Sequence, residues 1–542
     1  MALTEEQEAA LRAAAELKEG EILKIEACAG SGKTSTLIEI AKSRPEWRFL
    51  YLAFNRAIVE EARRRFPPNV RIFTTHSLAY HWYIYAYGRE AVRNLAAREY
   101  RVFDIEKLFP GKTQRELTDI LRQYRAYLQS ALTEAPPQVE RILEAVKKGE
   151  LPLTHDYYLK RYQLEFQPKF RNHDCVLLDE AQDTNAVTMA IFMDNPCRKI
   201  VVGDSHQGIY AFRGAVNALR QIRAARTVHL SCSFRSEQTI LDRANFFLQR
   251  YAPDRQFLIP MTSKARPVTK VQSEALIART NAGIVERIAA VHPARLKDYR
   301  LTRPAEAVFA GTMSVLAFKE GRKADIEPAY KWLCKFDGTG ELADYAEDCH
   351  DFEVSGALKL IDKWGGDLRK IRERALTLDR QTDALHVLTT AHSAKGLEWD
   401  AVTLHDDFPD LPAAYLSLTH KDKEAMSPEA FEQELNLYYV AVTRARSVLK
   451  DLTANGIYYE DRLFAREAGT YAAGAEKARK GAKGFKGESS ERADAKRDAG
   501  RKKRPAGGRS CVKARAPRLG KDYESLMDKR DRLLSAAKKK GA

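Results

Sequence analysis

Two glycines, a lysine and a threonine in "ACAGSGKTSTL" (27–37) have the types and spacing that bind a polyphosphate. Gly30 and Gly32 let a backbone curl until its N–H groups point at phosphate oxygens. Lys33 then reaches the outer phosphates, and the Thr34 hydroxyl ligates Mg²⁺. The binding turn comprises Ala27, Cys28, Ala29, Gly30, Ser31, Gly32, Lys33, Thr34 and Ser35, with Ala27 where the strict pattern places glycine. A second stretch, "VLLDEAQDTN" (176–185), ends an apolar run in two adjacent acids. That suits metal-dependent phosphate hydrolysis. Asp179 holds Mg²⁺ through water, and Glu180 orients the attacking water and takes its proton. Gln182 and Asp183 read as loop residues. A third stretch, "GDSHQGIYAFRGA" (203–215), sets Asp204 and Gln207, suited to phosphate chemistry, beside Tyr210, Phe212 and Arg213, a surface for flat anionic ligands.

Such chemistry needs a rigid frame. Apolar runs at 21–27, 48–53, 175–180 and 199–204 predict buried strands, and those at 274–280, 385–391 and 401–407 predict a second group. Strands alternating with helical stretches predict parallel sheets, so the expected fold class is α/β with two domains. The phosphate-binding turn then joins a strand to a helix, and Asp179 and Glu180 close another strand. Residues 77–170 carry a charged helical pattern, and 285–384 mix helical stretches with Gly and Pro turns; both read as insertions. The aromatics of "AYHWYIYAY" (79–87) fit a packed helix better than a stacking surface for nucleic acid.

The chain has 542 residues, 44% hydrophobic and 30% charged, the balance of a globular protein with sizeable cores. No apolar run nears the roughly 18 residues of a membrane helix, and the acidic, helical start "MALTEEQEAALRAAAELKEG" is not a secretory signal. Seven cysteines stand singly without a CxxC pair. That points away from a zinc site or a disulfide framework and predicts an intracellular protein, cytoplasmic or nuclear. Cys349 beside His350 reads as an ordinary thiol and imidazole. Net charge is +16, but residues 471–542 hold 23 Lys and Arg against 9 Asp and Glu, which leaves the body near neutral. Affinity of the body for a polyanion must then come from local placement of residues. The tail is low in large apolar residues and is expected to be disordered. Its "RKKRPAGGR" (501–509) suits non-specific attraction to phosphates or a nuclear localisation signal. Leu526, Met527, Leu533 and Leu534 form a narrow apolar stripe that fits a partner-binding helix.

The ordered set of motifs resembles superfamily 1 DNA helicases of the UvrD/Rep type. Besides the three stretches above it includes "LSCSFRSEQTIL" (230–241), "TTAHSAKGLEWDAVTL" (389–404) and "LNLYYVAVTRARSVL" (435–449). Within that group the strongest likeness is to the helicase part of the F-box DNA helicases. It is carried by "YLAFNRAIVEEARRRFPPNVRIFTTHSLAY" (51–80), "THDYYLK" (154–160) and "NPCRKIVVGDSHQGIYAFRGAVNAL" (195–219). The resemblance implies two RecA-like P-loop NTPase domains, 1A (1–76 and 165–229) and 2A (230–284 and 385–465). Mostly helical insertions 1B (77–164) and 2B (285–384) and a basic tail (466–542) complete the expected organisation. It also implies ATP as fuel, Mg²⁺ as cofactor and 3′→5′ movement along single-stranded DNA. Duplexes would be unwound from single-strand/duplex junctions in replication, recombination or repair. The alternative role is a translocase that strips proteins, such as recombinase filaments, from the strand. The helicase part starts at residue 3, so no F-box or ubiquitin-ligase partner is expected, and no membrane.

The resemblance also assigns roles. Gln7 reads the adenine edge, although Thr4-x-x-Gln7 equally fits a helix capping box. Phe234 stacks on adenine, and Glu398 accepts the ribose hydroxyl. Arg235 and Arg444 clasp the γ-phosphate from the second domain, where charge on the transferred phosphoryl must be offset. Gln207 senses that phosphate. Phe212 stacks on a base of the strand, with Tyr210 and Arg213 shaping the platform. Phe54, Asn55, Thr75, His76 and His392 are further contacts to DNA. Lys33, Thr34, Asp179, Glu180, Gln207, Arg235 and Arg444 form the catalytic set, and its completeness argues against a non-enzymatic binder.

Overall fold

A computed structural model describes residues 3–464 except 54–55, 97–98, 167–169, 171, 212–213, 349–350, 382–383, 421 and 423–424. The expectations for the tail, 466–542, and for Phe54, Asn55, Phe212, Arg213, Cys349 and His350 therefore lie outside the described residues.

Period-two burial organises the first sheet. Its strands are β1 (Ile22–Ala27), β2 (Phe49–Ala53), β3 (Val70–Thr74), β4 (Cys175–Leu178), β5 (Arg198–Gly203) and β6 (Arg226–Leu230). They lie in the order β3-β2-β4-β5-β1-β6, and every neighbouring pair is parallel. Leu50, Leu52, Val176 and Leu178 face one core, while Phe49, Tyr51, Cys175 and Leu177 face another. Both faces are covered, which is why these strands read as unbroken apolar runs. One cover comes from the helices Glu5–Ala15, Lys33–Lys42 and Arg56–Arg65. The other comes from the segment between β3 and β4, with the helices Thr75–Tyr87, Gln114–Gln129, Pro137–Lys147 and His155–Glu165.

The short strands β7 (Cys232–Ser233) and β8 (Thr262–Ser263) pair with each other. A second parallel sheet has the order β10-β11-β9-β12-β13. Its strands are β9 (Glu274–Ala278), β10 (Tyr299–Leu301), β11 (His386–Thr390), β12 (Trp399–Leu404) and β13 (Ala445–Asp451). β10 lies inside the stretch 285–384 that the sequence reading treats as an insertion, so the sheet reaches past residue 284. The remainder of that stretch is helical, including Ala305–Lys319, Thr339–Asp348, Phe352–Trp364 and Leu368–Ala375, and shares a core with one face of the second sheet through Ala278, Tyr299 and Leu388. Among the described residues no helix is long and apolar enough to cross a membrane.

The aromatic stretch 79–87 is a packed helix. Trp82 meets Tyr162 at 5.6 Å between ring centroids, and Tyr80 meets Tyr158 at 5.6 Å. These partners belong to "THDYYLK" and its helix, whose N-terminus is capped by Thr154 accepting from the Tyr157 N–H. Lys160 in the same helix is 1% exposed. Its Nζ donates to the carbonyls of Ser130 and Leu132 and to Gln163 Oε1, and lies 4.4 Å from the Tyr127 ring centroid. A buried ammonium thus ties the end of the Gln114–Gln129 helix to its neighbour. Lys160→Met, which leaves these acceptors unmatched, is expected to cost roughly 1–3 kcal/mol, read as a lower urea midpoint at unchanged slope. Burial pushes Lys160 down to about 8. The unfolded chain therefore binds the extra proton between that value and an ordinary lysine value of about 10.4. Stability of the parent should rise with pH across this window, and Lys160→Met should remove that rise.

Candidate active site

Ligands of open parallel sheets bind at the carboxyl ends of the strands. β4, β5 and β1 are adjacent, and their carboxyl ends carry Asp179, Asp204 and the phosphate-binding turn. The turn is tight: the Ser31 N–H and Oγ both donate to the Cys28 carbonyl, at 3.3 and 2.9 Å. Gly30 and Gly32 adopt φ of +74° and +81°, a region where a Cβ is penalised. Gly32 caps the Lys33–Lys42 helix without a side-chain bond, so the first-turn N–H groups are left facing the turn. A Cβ at Gly30 would stand 2.5 Å from the Arg235 Cβ and 2.7 Å from Ser233 Oγ. The first domain's turn therefore seats directly on the chain that follows β6. Lys33 makes no ion pair among the described residues. Burial works against its charge, but Glu180, Asp204 and Asp179 outweigh it and hold the ammonium above its ordinary pKa.

The acidic pair faces that lysine. Asp179 Oδ2 accepts from Thr34 Oγ1 at 2.8 Å and from Tyr51 Oη at 2.7 Å. Burial, then Glu180, push the Asp179 carboxyl up. Glu180 adopts φ +51°, a strained placement for a non-glycine residue. Although burial opposes its charge, Lys33 and Lys395 hold Glu180 below the usual carboxylate range. Mg²⁺ takes only one or two protein oxygens, the rest coming from phosphates and water. Thr34 and Asp179, already touching, fit that demand. Among the described residues no cluster of three or more His, Cys, Asp or Glu is built to hold a metal by itself.

Gln182 and Asp183, read from the sequence as loop residues, are buried. Gln182 donates to Glu180 Oε2 and accepts from the Asp204 N–H at 3.1 Å, bridging two strand ends. Asp183 pairs with Lys395, a lysine from the second sheet's domain whose Nζ also donates to the Gln207 carbonyl. Burial pushes Asp183 up to about 6, with Lys395 opposing.

Two arginines complete the cleft. Arg235 donates through Nε to Glu398 Oε2 at 2.6 Å and through Nη1 to the Thr443 carbonyl at 3.4 Å. Glu398, expected at a ribose, is thus engaged by the neighbouring arginine. Arg444 is 1% exposed. Its guanidinium donates to the Val440 carbonyl at 2.9 Å, the Leu397 carbonyl at 3.2 Å and Thr443 Oγ1 at 3.3 Å. No acid lies within ion-pair distance of it among the described residues. Burial, then Arg235, push Arg444 down to about 9, still cationic at neutral pH. Phe234 is half-buried and outside the hydrophobic cores, and its N–H donates to the Gly30 carbonyl at 2.9 Å. Gln7 does form the capping box with Thr4, at 3.0 and 3.1 Å. Its Nε2 remains turned toward the turn, 3.3 Å from Thr36 Oγ1.

The described residues expected to contact DNA also converge. Thr75, His76 and Tyr210 line one cavity of about 140 Å³ together with Asp179 and Asp183. His76 Nε2 lies 3.5 Å from Asp156 Oδ1. Tyr210 Oη donates to the His392 carbonyl at 3.4 Å, and Lys395 Nζ stands 5.1 Å from the Tyr210 ring centroid. Sequence reasoning missed Tyr51, Lys395 and Tyr439. Tyr439 donates to Asp204 from the Pro428–Val442 helix. All three sit inside quoted motif stretches, but their spacing reads as ordinary strand or helix packing.

Two parallel-sheet domains meeting across a phosphate-binding turn define a two-domain UvrD-like helicase fold. Two family models match the chain in that order: the UvrD/REP helicase N-terminal domain over residues 89–222 and the UvrD-like helicase C-terminal domain over residues 365–452. Residues 89–222 and 365–452 thus resemble UvrD-like helicase N- and C-terminal domains. Its relatives include F-box DNA helicase 1 of Gallus gallus, 27% identical over 82% of this chain and 48% of that protein. F-box DNA helicase protein 1 of Schizosaccharomyces pombe is 28% identical over 84% of this chain and 57% of that protein. ATP-dependent DNA helicase UvrD2 of Mycobacterium tuberculosis is 24% identical over 52% of this chain and 47% of that protein. The chain spans about half the length of the curated relatives it matches.

Proposed function

We propose that the chain is an ATP-dependent DNA translocase that unwinds duplexes, moving 3′→5′ along single-stranded DNA. One observation carries the reading: Arg444, a buried cation whose acceptors among the described residues are all neutral, stands with Arg235 on the second domain, next to a phosphate-binding turn on the first. Such a pair suits an anion bound between the domains. Thr34 and Asp179 would hold Mg²⁺, which when bound offsets charge on the outer phosphates. Lys33 binds those phosphates, and Glu180 orients water and accepts its proton. Arg235 exchanges Glu398 for the γ-phosphate, and its return on hydrolysis loosens the domains. Gln207 and Tyr210 lie three residues apart, one beside the acids and one on the cavity with His76 and Thr75. Phosphate loss is thereby passed to the strand. The DNA substrate is supported by the relatives, which are DNA helicases, and the polarity by the motif resemblance.

The test is ATP hydrolysis with and without single-stranded DNA, followed by strand displacement on duplexes with a 3′ or a 5′ tail. Stimulation by DNA, unwinding from the 3′ tail and loss of both in Lys33→Ala are expected. A Lys33→Ala protein that keeps DNA-stimulated hydrolysis would refute the site.

A further inference from the structure

Tyr439 joins, through one hydroxyl, parts of the molecule that the proposed cycle must keep in step. It lies near the end of the Pro428–Val442 helix and is 2% exposed. Its Oη accepts from the backbone N–H of Ala29, in the phosphate-binding turn, at 3.1 Å. The same atom donates to Asp204 Oδ2, just past β5, at 2.8 Å. The direction of these bonds follows from chemistry. A backbone N–H can only donate, so the single phenolic proton is left for the carboxylate. Burial, then Asp204, push the phenol well above its ordinary value, so that proton stays in place at neutral pH. Asp204 also accepts from Gln207 Nε2 on Oδ2 at 2.7 Å and from the His206 N–H on Oδ1 at 3.1 Å. Asp204 is 3% exposed, and a buried carboxylate short of donors is costly.

We propose that Tyr439 is a positioning residue that sets how readily Gln207 leaves Asp204 for the γ-phosphate. The inference rests on the function proposed above and deepens it. With the phenol in place, Asp204 keeps two donors, the Tyr439 hydroxyl and the His206 N–H, after the Gln207 amide turns away. Without the phenol it would keep one, so Gln207 is held back. The hydroxyl arrives from the second domain, so the freedom of Gln207 depends on the two domains being together. The same hydroxyl also accepts from the Ala29 N–H and anchors the turn, which makes the turn's order depend on the second domain as well.

Three variants test this: Tyr439→Phe, Gln207→Ala and the double variant, each checked for folding by thermal unfolding. Tyr439→Phe is expected to lower the DNA-stimulated kcat about tenfold while KM for ATP stays within about twofold. The double variant should be no slower than Gln207→Ala alone, because the hydroxyl acts through that amide. Losses that multiply would mark a merely structural role and overturn the inference, as would a Tyr439→Phe enzyme as fast as the parent. A second measurement needs neither nucleotide nor DNA. Hydrogen exchange of the peptide covering 27–32 should quicken at least about tenfold at the Ala29 amide in Tyr439→Phe. Unchanged exchange overturns the link whatever the hydrolysis shows. A parent protein with no DNA-stimulated hydrolysis overturns the function reading instead, while exchange still reports on Tyr439.

Discussion

Arg444→Ala is expected to lower DNA-stimulated ATP turnover by about 10³–10⁵-fold, the range for losing an arginine that offsets charge on a transferred phosphoryl group. The size follows from the surroundings. The guanidinium is held by two carbonyls and a hydroxyl, with no carboxylate within ion-pair distance among the described residues. In a site closed to water that charge acts at low dielectric, where its pull on a phosphate is far stronger than at a surface. A buried side chain of this size also packs the core, so Arg444→Ala leaves a cavity and lowers the unfolding temperature. Arg444→Lys separates the two effects. It keeps a cation and most of the volume but loses the planar fork that reaches Val440 and Leu397. Turnover should stay at least about 10²-fold down in Arg444→Lys even where the unfolding temperature recovers. Turnover restored by lysine would show that a cation of this volume suffices and that the planar fork is not needed at the phosphate. The measurement is steady-state ATPase with saturating single-stranded DNA beside a thermal scan.

Glu180→Gln carries the second-largest effect, a fall in kcat of about 10²–10⁴-fold from removal of a general base. The substitution keeps shape and a hydrogen-bonding oxygen, so the bond from Gln182 can persist. What it removes is the charge that Lys33 and Lys395 stabilise. Nucleotide binding rests on Lys33, Thr34 and the turn and should survive. The variant should therefore hold intact ATP and grip single-stranded DNA without turnover. Single-turnover hydrolysis and a filter-binding assay check this, and a variant hydrolysing within tenfold of the parent would remove Glu180 from the role of base.

Much of the site was legible because its demands are local. Gly30 and Gly32 are needed where φ is positive, Thr4 where a helix begins, and apolar runs where strands are covered on both faces. β1, β2, β4, β5, β9, β11 and β12 follow from such runs. β6 and β13 were not read, because their side chains are partly exposed and alternate with polar residues, as in Arg226–Leu230 and Ala445–Asp451. β3 sets an exposed Arg71 between buried Val70 and Ile72, which breaks the apolar run, and β10 is only three residues long. Asp183 looks like a loop residue until Lys395, 212 positions away, meets it in the buried site.

The order of residues alone determined which segments become strands, where the backbone must curl around phosphate and which acids end a strand, since these depend on neighbours a few positions apart. Only the tertiary structure decided that β4, β5 and β1 lie side by side, that Thr34 meets Asp179, and that Tyr439 reaches both Ala29 and Asp204. Thr34 and Asp179 are 145 positions apart, and Tyr439 is 410 positions from Ala29 and 235 from Asp204. Those contacts exist because the faces of whole sheets and helices must be buried together, a condition no single stretch contains.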